Sequence, residues 1–482
     1  MTDRIPVEFW QRHRLVPISA EDDRVTVGID ESTPVEVLED VRLTLGKDVR
    51  PVRMSSEEID EALRRLVLSS GEPGIEEGDD EGLRLDASSD LMGDAAGAPV
   101  VRLINSMFLR AMQTRASDIH IEPFEDDTII RMRIDGVLHE TTRVPRSRHS
   151  QISARLKVMS KLDLAESRRP QDGRLQVHSG DRHIDVRLSV VPTLHGERLV
   201  MRLLEKNMEL LSLGQVGMLS DTEESINEIL GHPYGLFLVT GPTGSGKTTT
   251  LYSVLDKLRS PTANVITIED PVEYRVTGVG QIQVNEKIGL TFASGLRSVL
   301  RQDPDVLMVG EIRDPETAEI AVHAALTGHM VLSTLHTNDA PAAATRMVDL
   351  GVPAYLLSSC LVGVLAQRLV RRLCMDCKVA HDLTENDVKR LGLGPDLVGR
   401  QVYEPGGCEK CLQTGYRGRV GVFELMTVGE DLASQIARSD DARTLRTSAR
   451  KLGMRSLMED AARKVIQGST SRDEAFRVTK AI

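Results

Sequence analysis

Eight consecutive residues, Gly241–Thr248 with the sequence GPTGSGKT, constrain this chain more than any other stretch. They fit the pattern G-x-x-x-x-G-K-[ST] at every fixed position. The apolar run Leu236–Thr240 before them predicts a buried strand, and Thr249–Leu258 after them predicts a helix with apolar residues on one face. Glycines allow backbone N–H groups to turn onto a phosphate, and the helix dipole adds positive potential there. The sequence therefore predicts a phosphate-binding loop between a strand and a helix.

The side chains of this loop have separate expected roles. Lys247 is expected to reach the β- and γ-phosphates of ATP, and the Thr248 hydroxyl is expected to bind Mg²⁺. A chance glycine-rich turn is the alternative, and the strand–loop–helix context disfavours it. The predicted nucleotide-binding residues are Gly241, Pro242, Thr243, Gly244, Ser245, Gly246, Lys247, Thr248 and Thr249.

Length and composition narrow the class of protein. The length of 482 residues suggests about three domains. No stretch approaches the ~20 apolar residues of a membrane-spanning helix. The first residues, Met1–Pro6, lack the basic-then-apolar pattern of a secretory signal, so a cytosolic location is expected. A net charge of −12 and an aromatic content of 3% disfavour a nucleic-acid motor, which usually has a basic channel and stacking rings.

Four of the five cysteines form two pairs, Cys374-x-x-Cys377 and Cys408-x-x-Cys411, with 30 residues between the pairs. In a cytosolic chain this arrangement predicts a tetrahedral Zn²⁺ site, with a lobe that loops out between the two pairs. A redox or disulfide pair is the alternative, and a reducing compartment disfavours it. Cys360 lies in an apolar run and is expected to be a buried small hydrophobe.

Composition and pattern divide the chain into segments. The first is a small mixed domain with no residues that look catalytic, so a docking role is expected for it. A segment rich in Gly, Asp and Glu follows and is expected to be a flexible linker. The predicted segments are 1–70 (docking domain), 71–97 (linker), 98–212 (second domain), 213–220 (hinge) and 221–482 (nucleotide domain, with a zinc lobe at about 371–420 and C-terminal helices).

Alternating strands of the second domain carry arginines. Thr128–Ile134, His183–Val190 and Leu199–Leu203 place apolar residues on one side and arginines on the other. Arg187 and Arg202 therefore lie on a polar sheet face. That face is either solvated or laid against phosphates bound at the nucleotide domain, and the pattern alone leaves both interpretations open.

Polar residues follow three predicted strands of the nucleotide domain. Glu269 and Asp270 end one strand, and Glu311 follows another, with Gly310 where a magnesium-binding Asp usually stands. Because strand carboxyl ends line the ligand crevice of an open α/β sheet, these acids are expected to hold metal-bound water or to orient an attacking one, with Glu311 as general base. His329 and His336 flank a third strand. They are either structural or sensors of the γ-phosphate.

Several stretches together resemble the type II/IV secretion-ATPase superfamily. The similarity covers nearly everything from 98 to the end, and the four nucleotide-domain boxes occur in the family's order. The matching stretches are Arg115–Pro123, Arg169–Arg174, Gly241–Thr250, Ile268–Tyr274, Leu300–Asp314 and Thr327–Asp339, together with the four cysteines. Gly310 agrees with this group.

The resemblance implies an α/β, multidomain fold. A RecA-like P-loop ATPase domain would be preceded by a PAS-like α/β domain and a small N-terminal docking domain, with a zinc-binding lobe. It also implies a homo-hexamer with nucleotide held between the second domain and the RecA-like domain. Arg187 and Arg202 would be the second domain's phosphate contacts. The arginines that would line or cross the active site are Arg297, Arg301, Arg313 and Arg346.

The four cysteines are similar to those of the assembly ATPases of type II secretion and type IV pili. The short first domain, opening with Ile5–His13, resembles the type II secretion group. That resemblance implies an ATP-hydrolysing motor for pseudopilus assembly, peripheral to the inner membrane. Its implied partners are the cytoplasmic domain of a bitopic inner-membrane subunit, at residues 1–70, and a polytopic platform protein. A pilus-extension ATPase, a nucleic-acid motor and a non-hydrolysing ATP-binding scaffold remain alternatives.

Overall fold

The computed structural model describes residues 9–10, 13, 15–20, 24–29, 33, 35–45, 47–55, 58–59, 62, 83–85, 98–179, 182–205 and 210–479. The chain separates into two units, Met1–Gly82 and Leu83–Ile482. Each unit has its own sheets and its own buried apolar side chains.

The first unit contains a small three-stranded sheet. Strand β2 pairs antiparallel with β1 and parallel with β3, and helix α1 connects β2 to β3. Val25, Val27 and Val41 are buried in its core together with Trp10. The elements are β1 (Val16–Ala20), β2 (Arg24–Ile29), α1 (Val35–Leu45) and β3 (Asp48–Arg53).

The second unit begins with a seven-stranded antiparallel sheet in the order β4-β8-β9-β10-β5-β6-β7. Two helices, α2 and α3, contribute to the apolar core that covers one face of the sheet. The elements are β4 (Leu83–Leu85), α2 (Ala98–Gln113), β5 (Asp118–Pro123), β6 (Asp127–Ile134), β7 (Val137–Pro145), α3 (His149–Met159), β8 (Gln171–Ser179), β9 (Arg182–Thr193) and β10 (Gly196–Glu205).

The alternation predicted for the second domain is present. Along β9, Ile184, Val186 and Leu188 are buried, whereas Arg187 between them lies on the other face and is partly exposed. One difference concerns the predicted linker 71–97. The three residues described within it, Leu83–Leu85, form strand β4, which pairs with β8. Part of this segment is therefore an edge strand of the second domain.

The predicted nucleotide domain is built on a second seven-stranded sheet, in the order β13-β12-β14-β15-β11-β16-β19. All neighbouring strands are parallel except β16 and β19. The elements up to the last central strand are α4 (Ser220–Leu230), β11 (Gly235–Thr240), α5 (Lys247–Leu258), β12 (Val265–Glu269), β13 (Gly280–Gln283), α6 (Phe292–Val299), β14 (Val306–Val309), α7 (Pro315–Leu326), β15 (Met330–Leu335), α8 (Ala340–Asp349), α9 (Ala354–Cys360) and β16 (Leu361–Leu373). The predicted α/β class is confirmed.

A lobe and four helices complete the chain. The lobe lies in sequence between β16 and β19, and its two strands pair with each other. The elements are β17 (Val379–Asp382), α10 (Glu385–Leu391), β18 (Gln401–Glu404), β19 (Tyr416–Thr427), α11 (Glu430–Ala437), α12 (Ala442–Lys451), α13 (Leu457–Ile466) and α14 (Arg472–Thr479). Among the helices in the described ranges, none combines the length and apolarity needed to cross a membrane.

The segment 213–220, predicted to be a hinge, is anchored to the predicted nucleotide domain. Leu213, Val216 and Met218 are buried in the core that β11 and α5 share. The backbone N–H of Gly421, in β19, donates to the Val216 carbonyl at 2.8 Å. A hinge requires residues whose backbone angles can change. Packing and hydrogen bonding hold this segment against the same domain in the structure, and its role as a hinge stays a prediction.

Candidate active site

The phosphate loop adopts the conformation that its glycines were expected to provide. Gly241, Gly244 and Gly246 all have positive φ angles, of 151°, 78° and 87°. A Cβ atom at Gly241 would lie 2.5 Å from the carbonyl oxygen of Gln367, so β16 runs directly against the loop. The Ser245 hydroxyl is buried and has no hydrogen-bond partner among the described residues. A polar atom left in this state suits a loop that receives phosphate oxygens.

Lys247 begins helix α5 and is buried. Its Nζ atom donates to the carbonyl oxygens of Gly241 and Pro242, at 2.8 and 3.2 Å. Burial lowers the pKa of Lys247 to about 8; the charge of Glu311 works in the opposite direction, and that of Arg368 adds to the lowering. A buried ammonium bound only by carbonyl oxygens is well prepared to accept an anionic phosphate.

Parallel pairing brings Glu311 and His336 to the same edge of the sheet as the loop. Strand β15 pairs with both β11 and β14. Glu311 follows the carboxyl end of β14, and His336 follows the carboxyl end of β15. Glu311 Oε1 lies 2.6 Å from Arg313 Nη2, and Glu311 Oε2 lies 3.4 Å from His336 Nε2. The arrangement groups a half-buried carboxylate, a histidine and an arginine, and the charge of the carboxylate acts on Lys247.

The side chains of Glu269 and Asp270 have different surroundings although the two residues are adjacent in sequence. Glu269 is buried and accepts hydrogen bonds from Tyr252 Oη, from Thr267 Oγ1 at 2.6 Å and from Gln281 Nε2 at 3.1 Å. Its carboxylate is thus engaged by three side chains beneath helix α5. Asp270 is exposed and lines a cavity. The oxygens of Glu269 therefore already have donors, whereas Asp270 faces the cavity; that these acids hold metal-bound water or orient an attacking one stays a prediction.

The polar face of the second domain lies across this cavity. Arg187 and Arg202 are directly opposite each other on β9 and β10. Arg187 Nη2 is 3.9 Å from Oε2 of Glu273, which follows β12. The first cavity, of 520 Å³, is lined by Arg174, Arg187, Asp270, Pro271, Gln283, Val284, Asn285 and Lys287. A second, of 570 Å³, is lined by Asp118, Asp172, Gly173, Arg174, Arg187, Leu188, Ser189, Val200 and Arg202.

Four predicted site residues are not brought to the phosphate loop of the same chain. His329 precedes β15, and its carbonyl accepts from Gly235 at the start of β11, about 20 Å along the strand from the loop. Its Nδ1 atom lies 2.9 Å from the Ala324 carbonyl oxygen. The exposed arginines Arg297, Arg301 and Arg346 make no hydrogen bond or ion pair with the loop in the part of the chain that the structure describes. Within one chain, His329 therefore lies away from the phosphate loop, and its role as a γ-phosphate sensor stays a prediction.

Sequence reasoning missed two residues beside the loop, Gln367 and Arg368. Gln367 Oε1 accepts from Thr250 Oγ1 at 2.8 Å. Arg368 is buried and its Nη2 donates to the Asn338 carbonyl at 2.8 Å, next to His336. The signal in the sequence is a polar pair that interrupts the apolar run of β16, Leu361–Leu373.

The four paired cysteines converge as predicted. Their sulfur atoms all lie within 4.8 Å of one another. The Cys374–Cys408, Cys377–Cys411 and Cys408–Cys411 distances are 3.8, 3.7 and 3.6 Å. Four thiolates at the Zn–S distance of about 2.3 Å would be about 3.8 Å apart in a tetrahedron, so the cluster fits Zn²⁺. Cys360 lies apart from them and is buried in the core of the nucleotide domain.

Comparison with known proteins identifies the family. The family described as Type II/IV secretion system protein matches residues 94–477, and the MshEN domain family matches residues 1–73. The chain belongs to the type II/IV secretion system protein family. It is 44% identical over 492 residues to Type II secretion system protein E of Pectobacterium carotovorum subsp. carotovorum, covering 99% of this chain and 97% of that protein.

Two further relatives extend the comparison of this secretion ATPase. The Type IV pilus assembly ATPase PilB of Myxococcus xanthus is 42% identical over 481 residues, covering 98% of this chain and 85% of PilB. The crystal structure of the pilus retraction motor PilT with bound ADP has a TM-score of 0.51 and 26% identity, covering 77% of this chain and 95% of PilT. The chain is accordingly an ATPase of this family.

Proposed function

We propose that this secretion ATPase is a hexameric motor that hydrolyses ATP to drive pseudopilus assembly in type II protein secretion. One observation carries the proposal. Lys247 in the phosphate loop and Glu311 lie at one edge of the ATPase sheet, and Arg187 of the second domain lines a cavity together with Asp270, with Arg202 directly opposite Arg187 on the neighbouring strand. An anion cradle, a candidate base and a facing pair of cations are the parts that phosphoryl transfer to water requires.

Each group has a distinct proposed role. The loop amides and Lys247 hold the β- and γ-phosphates, and Glu311 accepts the proton of the attacking water. His336, near Glu311, senses the γ-phosphate. Thr248, exposed at the start of α5, would hold Mg²⁺, which supplies neutralisation of phosphate charge. Asp270 faces the cavity and orients water there.

The exposed arginines argue for assembly of several chains. Arg297 pairs with Glu316 on the surface, and Arg346 is exposed on α8. We propose that Arg297, Arg301, Arg313 and Arg346 line or cross the active site in a hexamer, where a cation can stabilise charge on the transferred phosphoryl group. Such an arginine contributes about 10³–10⁵ in rate.

The proposed partners follow the family. Residues 1–70 would bind the cytoplasmic domain of a bitopic inner-membrane subunit, and a polytopic platform protein would receive the motion of the motor at the inner membrane. Zn²⁺ bound by the four cysteines would stabilise the lobe. A type IV pilus extension ATPase is the second candidate, favoured by the 42% identity to PilB. Binding of the full chain to the bitopic secretion subunit, compared with binding to its pilus counterpart, separates the two.

The first experiment is ATP turnover per chain over a wide range of protein concentration. Turnover per chain that rises with concentration is expected, because assembly completes the site. A flat, substantial rate would contradict the hexameric motor. Glu311→Gln should still bind ATP but lose about 10²–10⁴ in turnover as expected for a general base. Near-wild-type turnover in that variant would remove Glu311 from this role.

A further inference from the structure

Two ionic clusters of the same design lie side by side on the polar face of the second domain. Each joins an arginine of β10 to a carboxylate of β5 and to an arginine of β6. In the first, Asp118 lies between Arg202 and Arg133. The second consists of Arg198, Glu122 and Arg131. Asp118 and Arg202 line a cavity, whereas Glu122 and Arg198 line neither of the two described cavities.

Asp118 holds Arg202 at one edge of its guanidinium group. The Asp118 side chain is 8% exposed, and its Oδ1 atom accepts from Arg202 Nε at 3.0 Å. Its Oδ2 atom accepts from Ser117 Oγ at 2.8 Å and lies 3.7 Å from Arg133 Nε. The Arg202 side chain is 59% exposed. Because the carboxylate engages Nε, the two terminal nitrogens of Arg202 are left for a ligand in the cavity.

A positioning carboxylate is needed here because of the cross-strand register. Arg174, Arg187 and Arg202 occupy directly opposed positions on β8, β9 and β10. Like charges opposite each other on a sheet repel. Asp118 is the cross-strand partner of Arg202 on its other side. Its charge therefore offsets this repulsion and fixes the direction of Arg202.

We propose that Asp118 is a positioning residue for the ATPase reaction, which holds Arg202 so that its terminal nitrogens meet the γ-phosphate. This inference rests on the proposed phosphate contact of Arg202. Asp118 itself touches no phosphate. Its effect should appear in the chemical step, because misplacement of a charge-stabilising group by about 1 Å can cost about 10² in rate.

The test compares Asp118→Asn with Glu122→Gln in the full chain, at a protein concentration where turnover per chain has reached its plateau. Both variants remove one buried carboxylate charge from the same sheet face, so similar losses of thermal stability are expected. Asp118→Asn should lower kcat roughly tenfold or more with a smaller change in KM, whereas Glu122→Gln should keep kcat within about twofold. Equal kcat values for the two variants would overturn the proposal.

Two further variants separate this inference from the proposed function. Arg202→Ala should lose as much kcat as the double variant Asp118→Asn/Arg202→Ala, since Asp118 acts through Arg202. If Arg202→Ala hydrolyses ATP at the normal rate, Arg202 does not contact the phosphate, and the proposed positioning role of Asp118 is wrong as well. If Arg202→Ala is impaired while Asp118→Asn is not, only the positioning role is wrong.

Should Asp118→Asn fail to fold, Ser117→Ala replaces it. This change removes only the hydroxyl that donates to Asp118 Oδ2. Ser117→Ala should lower kcat by less than Asp118→Asn would. The double variant Ser117→Ala/Arg202→Ala should have the same kcat as Arg202→Ala alone. Unchanged kcat in Ser117→Ala would then overturn the proposal.

Discussion

Arg187 of the second domain and Glu273 of the ATPase domain form a contact between the two domains, with 3.9 Å between Nη2 and Oε2. Burial raises the pKa of Glu273. The positive charges of Arg187 and Arg202 act in the opposite direction but do not cancel the rise. The arginine proposed to contact phosphate therefore already faces a carboxylate in this structure. A bound triphosphate carries more negative charge than Glu273 and would compete for the same cation.

Replacing Glu273 with Gln should strengthen ATP binding, because Arg187 would no longer be shared with a carboxylate. Both side chains are about a third exposed, at 35% and 34%, so solvent screening keeps the effect small. A pair of this kind contributes up to about 1 kcal/mol, which corresponds to at most about fivefold in affinity. Binding of a fluorescent ATP analogue measures it, with Arg187→Ala as the variant expected to bind more weakly. Weaker binding by Glu273→Gln would mean that Glu273 assists the nucleotide.

ATP binding should take up a proton when the pH exceeds the pKa of Lys247, which burial lowers to about 8. Below that pH the ammonium is already charged. Above it the free chain carries a neutral amine, and bound phosphates draw a proton onto it, so affinity falls as pH rises. Calorimetry in two buffers of different ionisation enthalpy, one pH unit below and one above this pKa, measures the uptake. Lys247→Arg should show none, and equal uptake at both pH values would contradict the expectation.

Cys374→Ser should remove the metal and destabilise the lobe, because the cluster would keep only three sulfur ligands. A loss of more than about 2 kcal/mol in unfolding free energy is expected for a structural site. Zinc content per chain and chemical denaturation measure the two effects. Cys360→Ser is the matched control, since this buried thiol lies outside the cluster. Unchanged zinc content in Cys374→Ser would refute the assignment.

Gly217→Ala tests whether the segment before α4 is anchored. Gly217 has a φ of +106°, and a Cβ atom there would lie 2.3 Å from Val420 Cγ2. Gly351 has a φ of +92° with nothing within 4 Å, so Gly351→Ala isolates the backbone strain. We expect about 1 kcal/mol of destabilisation for Gly351→Ala and more than about 2 kcal/mol for Gly217→Ala. Equal losses would mean that the segment yields easily and would support the hinge prediction.

Much of the active site follows from sequence because the fold is parallel. A phosphate loop after β11 and acids after neighbouring strands must meet at one edge of the sheet, which is why Lys247 and Glu311 were predicted together. The same rule explains why His329 lies away from the phosphate loop of its own chain. Histidines at both ends of β15 cannot both reach one edge, and only His336 follows the carboxyl end.

Side-chain direction was the part that the sequence could not supply. Glu269 and Asp270 are neighbours, yet one is buried under α5 and the other faces a cavity, and the pleat alone does not say which acid finds donors. The segment 213–220 was predicted to be a hinge because it lies between the second domain and the nucleotide domain. Gly217 instead permits close packing against β19, a contact that depends on residues about 200 positions later. Sequence-distant partners of this kind leave no local pattern.

Strand β16 has a mechanical consequence for the motor. The strand passes against the phosphate loop at Gln367 and ends at Leu373, one residue before Cys374 of the metal cluster. The seven residue-to-residue steps from Gln367 to Cys374 span about 24 Å of extended backbone. Strand β19 pairs antiparallel with β16, so two hydrogen-bonded strands connect the phosphate loop to the lobe. We therefore expect a displacement of the nucleotide pocket to move the lobe with it, because the paired strands connect the two.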